Sequence, residues 1–208
     1  MTTSTDEFLK KLSNSKIIVI LRNIKLDQVE DFVGLLESNG LDTIEITLNS
    51  PDPFKSIEII SKKFPKVNIG AGTVILKNDI LKLLDKGAKF IVSPNTDPEI
   101  IEETLKKNLV SIPGFYTATE GFNAIKYGAT ILKLFPAGLS GLNLIKDYSA
   151  VFPSEIKLIP TGGINLDNMS NFLDKSFAIG MGGALYSEHI SLQDFLDRIK
   201  KIKSILNK

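Results

Sequence analysis

A repeated alternation of short β-branched runs and helical segments limits this chain more than any other feature. The runs occupy residues 16–22, 43–48, 67–74, 89–94, 110–115, 131–136, 157–164 and 177–186, so a new one starts every 20 to 27 residues. Between them the apolar residues recur at helical spacing, as in Val29, Phe32, Val33 and Leu36, or Ile57, Ile60 and Phe64. The helix ends agree. Asp97-Pro98 reads as an N-cap before a first-turn proline, and Thr117-x-x-Glu120 and Ser191-x-x-Asp194 resemble capping boxes. Gly40, Gly87 and Gly128 stand where helices should stop. Strict strand–helix alternation demands parallel pairing with right-handed crossovers. Eight such units close into a barrel, so the expected fold is α/β, a compact single-domain (β/α)8 TIM barrel over residues 1–208 with short loops. A doubly wound open sheet is the competing architecture.

Composition then excludes several functions. The formal net charge is +1, and basic residues cluster only near the end, at Lys200, Lys201, Lys203 and Lys208. Neither nucleic acid nor an anionic membrane is expected as a partner. With no cysteine and the single histidine His189, thiol chemistry is out and no metal site is expected. Apolar stretches such as Ile17–Leu21 are far too short to span a bilayer. The polar, acidic start of the chain is unlike a signal peptide, and a cytoplasmic location is expected.

In such a barrel, chemistry sits at the C-terminal ends of the strands. Lys133 interrupts the apolar run 129–136. Alternation turns Ile131, Lys133 and Phe135 to one face, and Leu132 and Leu134 to the helix layer. An inward ammonium is either a desolvated nucleophile or half of a structural ion pair. Glu45 alternates inward in the same way, between Ile44 and Ile46, and is the natural partner of Lys133 as general acid/base or as counter-ion. Arg22 ends the first run. A guanidinium there suits a bidentate hold on a carboxylate, or a rim salt bridge. The other arginine, Arg198, lies among lysines in the last helix, where solvation is expected. Gly162-Gly163 and Gly182-Gly183 follow the seventh and eighth runs, where barrels often bind phosphate. Thr73 offers a hydroxyl after the third run, and Pro94 and Pro113-Gly114 shape the pocket floor.

Together these pieces resemble the 2-keto-3-deoxy-6-phosphogluconate (KDPG) aldolase family, including the 6-phosphogalactonate and 4-hydroxy-2-oxoglutarate aldolases. The matching segments are residues 44–48 (IEITL), 70–74 (GAGTV), 91–94 (IVSP), 113–114 (PG), 132–137 (LKLFPA) and 160–164 (PTGGI). The resemblance implies a class I aldolase without cofactor. Lys133 would form the Schiff base and Glu45 would be the general acid/base. Arg22 and Thr73 would hold the pyruvate carboxylate, and Phe135 would lie beside the imine. Thr161 would meet a substrate hydroxyl, and Gly162, Gly163, Gly182 and Gly183 would hold the phosphate. It also implies a homotrimer.

The implied reaction cleaves 2-dehydro-3-deoxy-6-phosphogluconate to pyruvate and D-glyceraldehyde 3-phosphate. The galactonate epimer and 4-hydroxy-2-oxoglutarate are the alternative substrates. Thr161 resembles the gluconate branch and Asn49-Ser50-Pro51 the galactonate branch. Thr161 is weighted more, because it is expected nearer the reacting carbon. The chain departs from many members in reading Gly182-Gly183-Ala184, without a serine, in the last turn. A phosphosugar isomerase or epimerase, and a non-catalytic phospho-ligand binding barrel, are the rival functions from other classes.

Overall fold

The computed structural model describes residues 4–207. An unforeseen helix, α1 (Ser4–Ser15), comes first, and the alternation then begins. Strands β1 (Ile17–Leu21), β2 (Thr43–Thr47), β3 (Asn68–Gly72) and β4 (Phe90–Val92) are followed in turn by α2 (Val29–Ser38), α3 (Pro53–Lys63), α4 (Asn78–Asp85) and α5 (Pro98–Lys106). The fifth run gives two short strands, β5 (Val110–Ile112) and β6 (Gly114–Phe115), before α6 (Ala118–Lys126). The rest of the chain is β7 (Ile131–Leu134), α7 (Gly141–Val151), β8 (Lys157–Pro160), α8 (Met169–Leu173), β9 (Ile179–Met181) and α9 (Leu192–Leu206). Among the described residues no helix is long and apolar enough to cross a membrane.

Every paired strand runs parallel. The expected continuous ladder of eight strands is interrupted, however. A six-stranded sheet has the order β5-β4-β3-β2-β1-β9, and a three-stranded sheet the order β6-β7-β8. Pro113 explains one break, because it has no N–H to donate and splits the fifth run. Its carbonyl still accepts from Lys133 N at 2.9 Å, which ties the two sheets together. At the other seam β8 meets β9 through a single bridge, Thr161 to Gly180.

The curvature of the sheets separates two apolar clusters. Outside, the helices cover Val19, Leu21, Ile44, Ile46, Leu132 and Leu134. Inside lie Ile18, Phe90, Val92, Val110, Ile112, Ile131 and Ile159. Both faces of the strands are therefore buried, which is why the runs are nearly continuous in apolar residues. Phe8 and Leu12 of α1 join the inner cluster, and Phe8 packs on Phe90 with ring centroids 5.1 Å apart. A plug at the N-terminal end leaves the other end open for the polar inward residues.

Candidate active site

The C-terminal ends of the strands open onto a cleft of about 900 Å³. Arg22, Lys133, Phe135 and Thr161 line it, with Gly162, Gly163, Gly182 and Gly183 along one side. Lys133 is only 6% exposed and Glu45 only 2%. Glu45 is buried inside the sheet and does not reach the cleft wall. Gly72, its neighbour on β3, makes this possible: any side chain there would occupy the place of the Glu45 carboxylate. Glu45 Oε1 has no hydrogen-bond partner among the described residues. Burial pushes its carboxyl above the ordinary value, and the charges of Lys133 and Arg22 pull it part of the way back. Lys133 Nζ sits 5.0 Å from the centroid of the Phe135 ring, within cation–π range, and both residues line the cleft.

Arg22 is anchored rather than free. Its Nη1 donates to Asn49 Oδ1 at 2.9 Å, and Asn23 N donates to Ser50 Oγ at 2.9 Å, which ties the end of β1 to the end of β2. Thr73 and Pro94 lie off the cleft lining. Thr73 has φ of 58°, in the left-handed region that β-branched residues avoid. Pro94 packs its carbonyl against Gly114. Gly162 and Gly163 are also left-handed, with φ of 86° and 76°. The N–H groups of Gly162, Gly163, Gly182 and Gly183 donate to no acceptor among the described residues, and all four glycines line the cleft.

Some lining residues escaped sequence reasoning, among them Asn23, Asn165, Tyr186 and Glu188. A signal existed for Asn165, because Asn165-x-x-Asn168 is a turn signature. Asn165 Oδ1 accepts from Asp167 N at 2.9 Å, and Asn168 Nδ2 donates to Gly163 O at 3.0 Å, which locks the glycine turn. Arg198 corrects an expectation. It is half-buried, and its Nη1 donates to Ala184 O and Leu185 O, each at 3.2 Å.

A buried lysine in the cleft, with a desolvated carboxylate behind it, suits the site to covalent chemistry on a carbonyl compound. Comparison with known proteins agrees. The chain is 38% identical over 184 residues to a probable 2-dehydro-3-deoxy-6-phosphogalactonate aldolase of Rhizobium meliloti, covering 88% of this chain and 87% of the relative. It is 30% identical over 177 residues to the 2-dehydro-3-deoxy-phosphogluconate aldolase of Treponema pallidum, covering 83% and 84%. A solved KDPG aldolase of Legionella pneumophila, with pyruvate captured at low pH as a covalent carbinolamine intermediate, superposes with a TM-score of 0.83. It shares 26% identity and the match covers 98% of this chain and 96% of that one. The family model for KDPG and KHG aldolases matches residues 8–202, and the chain accordingly belongs to that family of aldolases, which are carbon–carbon lyases.

Proposed function

We propose that this aldolase cleaves a 2-dehydro-3-deoxy-6-phosphohexonate to pyruvate and D-glyceraldehyde 3-phosphate through an imine on Lys133. The observation that carries this reading is the buried pair Lys133 and Glu45 beside a cleft with four free backbone donors. In the proposed mechanism the Lys133 amine attacks the C2 ketone, and the carbinolamine loses water with a proton supplied by the Glu45 carboxyl, which leaves a protonated imine and the Glu45 carboxylate. The Glu45 carboxylate then takes the proton of the C4 hydroxyl through a water. The C3–C4 bond breaks, and its electrons flow into the imine to give an enamine. The aldehyde leaves, Glu45 passes the proton it took to C3, and hydrolysis of the imine returns pyruvate, free Lys133 and the proton first drawn from Glu45. Arg22, steadied by Asn49, holds the carboxylate, and Phe135 lies beside the imine. Gly162, Gly163, Gly182 and Gly183 take the phosphate. The two sheets are read as arcs of one closed (β/α)8 barrel forming a single domain, and the protein as a cytoplasmic homotrimer.

Borohydride reduction in the presence of pyruvate tests the covalent step. One reduced pyruvate per chain on Lys133, absent in Lys133→Ala, is the expected result. An isomerase, an epimerase or a binding barrel would leave Lys133 unlabelled. The C4 configuration is decided separately. The relatives favour the galactonate epimer, at 38% identity against 28–33% for phosphogluconate aldolases. Thr161, which had favoured the gluconate form, turns its hydroxyl to Ile159 O at 3.4 Å. We assign the galactonate epimer as preferred and the gluconate epimer as a slower substrate. The ratio of kcat/KM for the two epimers measures this, and Thr161→Val, which removes a hydroxyl already bonded to Ile159 O, should leave that ratio unchanged. A wild-type preference for the gluconate form would reverse the assignment.

A further inference from the structure

We infer that Arg198 is a positioning residue for the distal, anion-binding end of the cleft. This rests on the reading of the glycine pairs as the phosphate site. Residues 182–186 form one tight turn, in which Leu185 N and Tyr186 N both donate to Gly182 O, at 2.8 and 2.9 Å. Its cleft side begins with Gly182 and Gly183. Nothing lies within 4 Å of where a Gly183 side chain would start, so no packing fixes that residue. Two adjacent glycines have the largest conformational freedom to lose. The restraint comes from the far side, where Arg198 Nη1 donates to the carbonyls of Ala184 and Leu185. Arg198 does not itself line the cleft, so it acts through the turn.

The choice of partner argues for that role. Asp194 and Asp197 share a surface hollow with Arg198 and stand four residues and one residue before it on α9. Neither forms an ion pair with it. Asp194 is bonded to Ser191 at 2.6 Å, and Asp197 to Gln193 and Lys200 at 3.1 and 3.4 Å. The guanidinium thus spends its Nη1 on two backbone carbonyls rather than on either carboxylate. A cation at the carbonyl end of a turn also complements its partial charge. Holding the turn keeps Gly182 and Gly183 in place at the cleft lining before an anion arrives.

The test compares wild type, Arg198→Gln and Arg198→Lys on the 6-phosphorylated substrate and on its unphosphorylated form, with borohydride trapping of pyruvate as a third readout. In the Gln variant kcat/KM for the phosphorylated substrate should fall about tenfold or more, chiefly through KM, the scale of one charge-assisted hydrogen bond. The Lys variant should recover part of it. Turnover of the unphosphorylated form and trapping of pyruvate, which lack the distal group, should not change. Equal losses on all three readouts, or no loss on the phosphorylated substrate, would overturn the inference while leaving the phosphate site intact. Equal use of both substrates by wild type would remove the phosphate site and this inference with it.

Discussion

A carboxylate in the middle of an otherwise apolar strand costs stability unless its protonated form is buried in its place. Glu45 stands in that position, on β2 between Ile44 and Ile46. Burial raises its pKa above the ordinary 4.5 despite Lys133 and Arg22. As pH rises through the window above 4.5, the folded state keeps a proton that the unfolded state has released, so stability falls. Glu45→Gln mimics the protonated form at every pH. The variant should therefore gain stability over wild type on going from about pH 4 to about pH 7, while its turnover falls by roughly 10²–10⁴. Denaturation at the two pH values checks this, and a difference that does not change with pH would show that Glu45 is not held with a raised pKa. Glu45 and Lys133 were readable in the sequence because a charge set within an apolar alternation must face the inside of the sheet. Arg198 was not, because its partners are backbone carbonyls 13 and 14 residues earlier, and a carbonyl has no side-chain signature.

Helix ends were readable for the opposite reason, since their chemistry is local. Asp97 Oδ1 accepts from Glu99 N at 2.9 Å, as an N-cap before Pro98 should. At α6 the full capping box forms: Thr117 Oγ1 accepts from Glu120 N, and Glu120 Oε2 accepts from Thr117 N and Tyr116 N, both at 2.8 Å. Those backbone N–H bonds hold the Glu120 carboxyl below its ordinary value. Gly40, Gly87 and Gly128 take left-handed φ of 73°, 88° and 94° at helix stops, as their spacing implies. Two features were not readable. The break at Pro113 depends on which strand lies alongside it, and α1 depends on the inner cluster that Phe8 and Leu12 complete. Thr117→Ala should cost about 1 kcal/mol, the usual loss at an N-cap, with unchanged kcat/KM because the cap lies off the cleft lining. Urea denaturation measures it, and an unchanged midpoint would mean that Glu120 alone suffices as the cap.

Assembly is where sequence pattern says least, because an interface and a buried face look alike in an alternating chain. Exposure separates them. Ile75 and Leu76, directly after β3, are 58% and 60% exposed, and Leu81 in the first turns of α4 is 51% exposed. Single exposed apolar side chains are ordinary, but a local run of them marks a contact surface. In a cyclic trimer each copy presents one face to a different face of its neighbour, so one apolar segment can be covered without facing itself. Light scattering of the purified protein should give three times the 22.9 kDa of the chain. Ile75→Lys with Leu76→Lys should shift it towards the single-chain mass, because two ammonium groups would be buried without partners in the assembled form. A wild-type mass of one chain would overturn the trimer. A trimer that survives both lysines would place its interface on other residues.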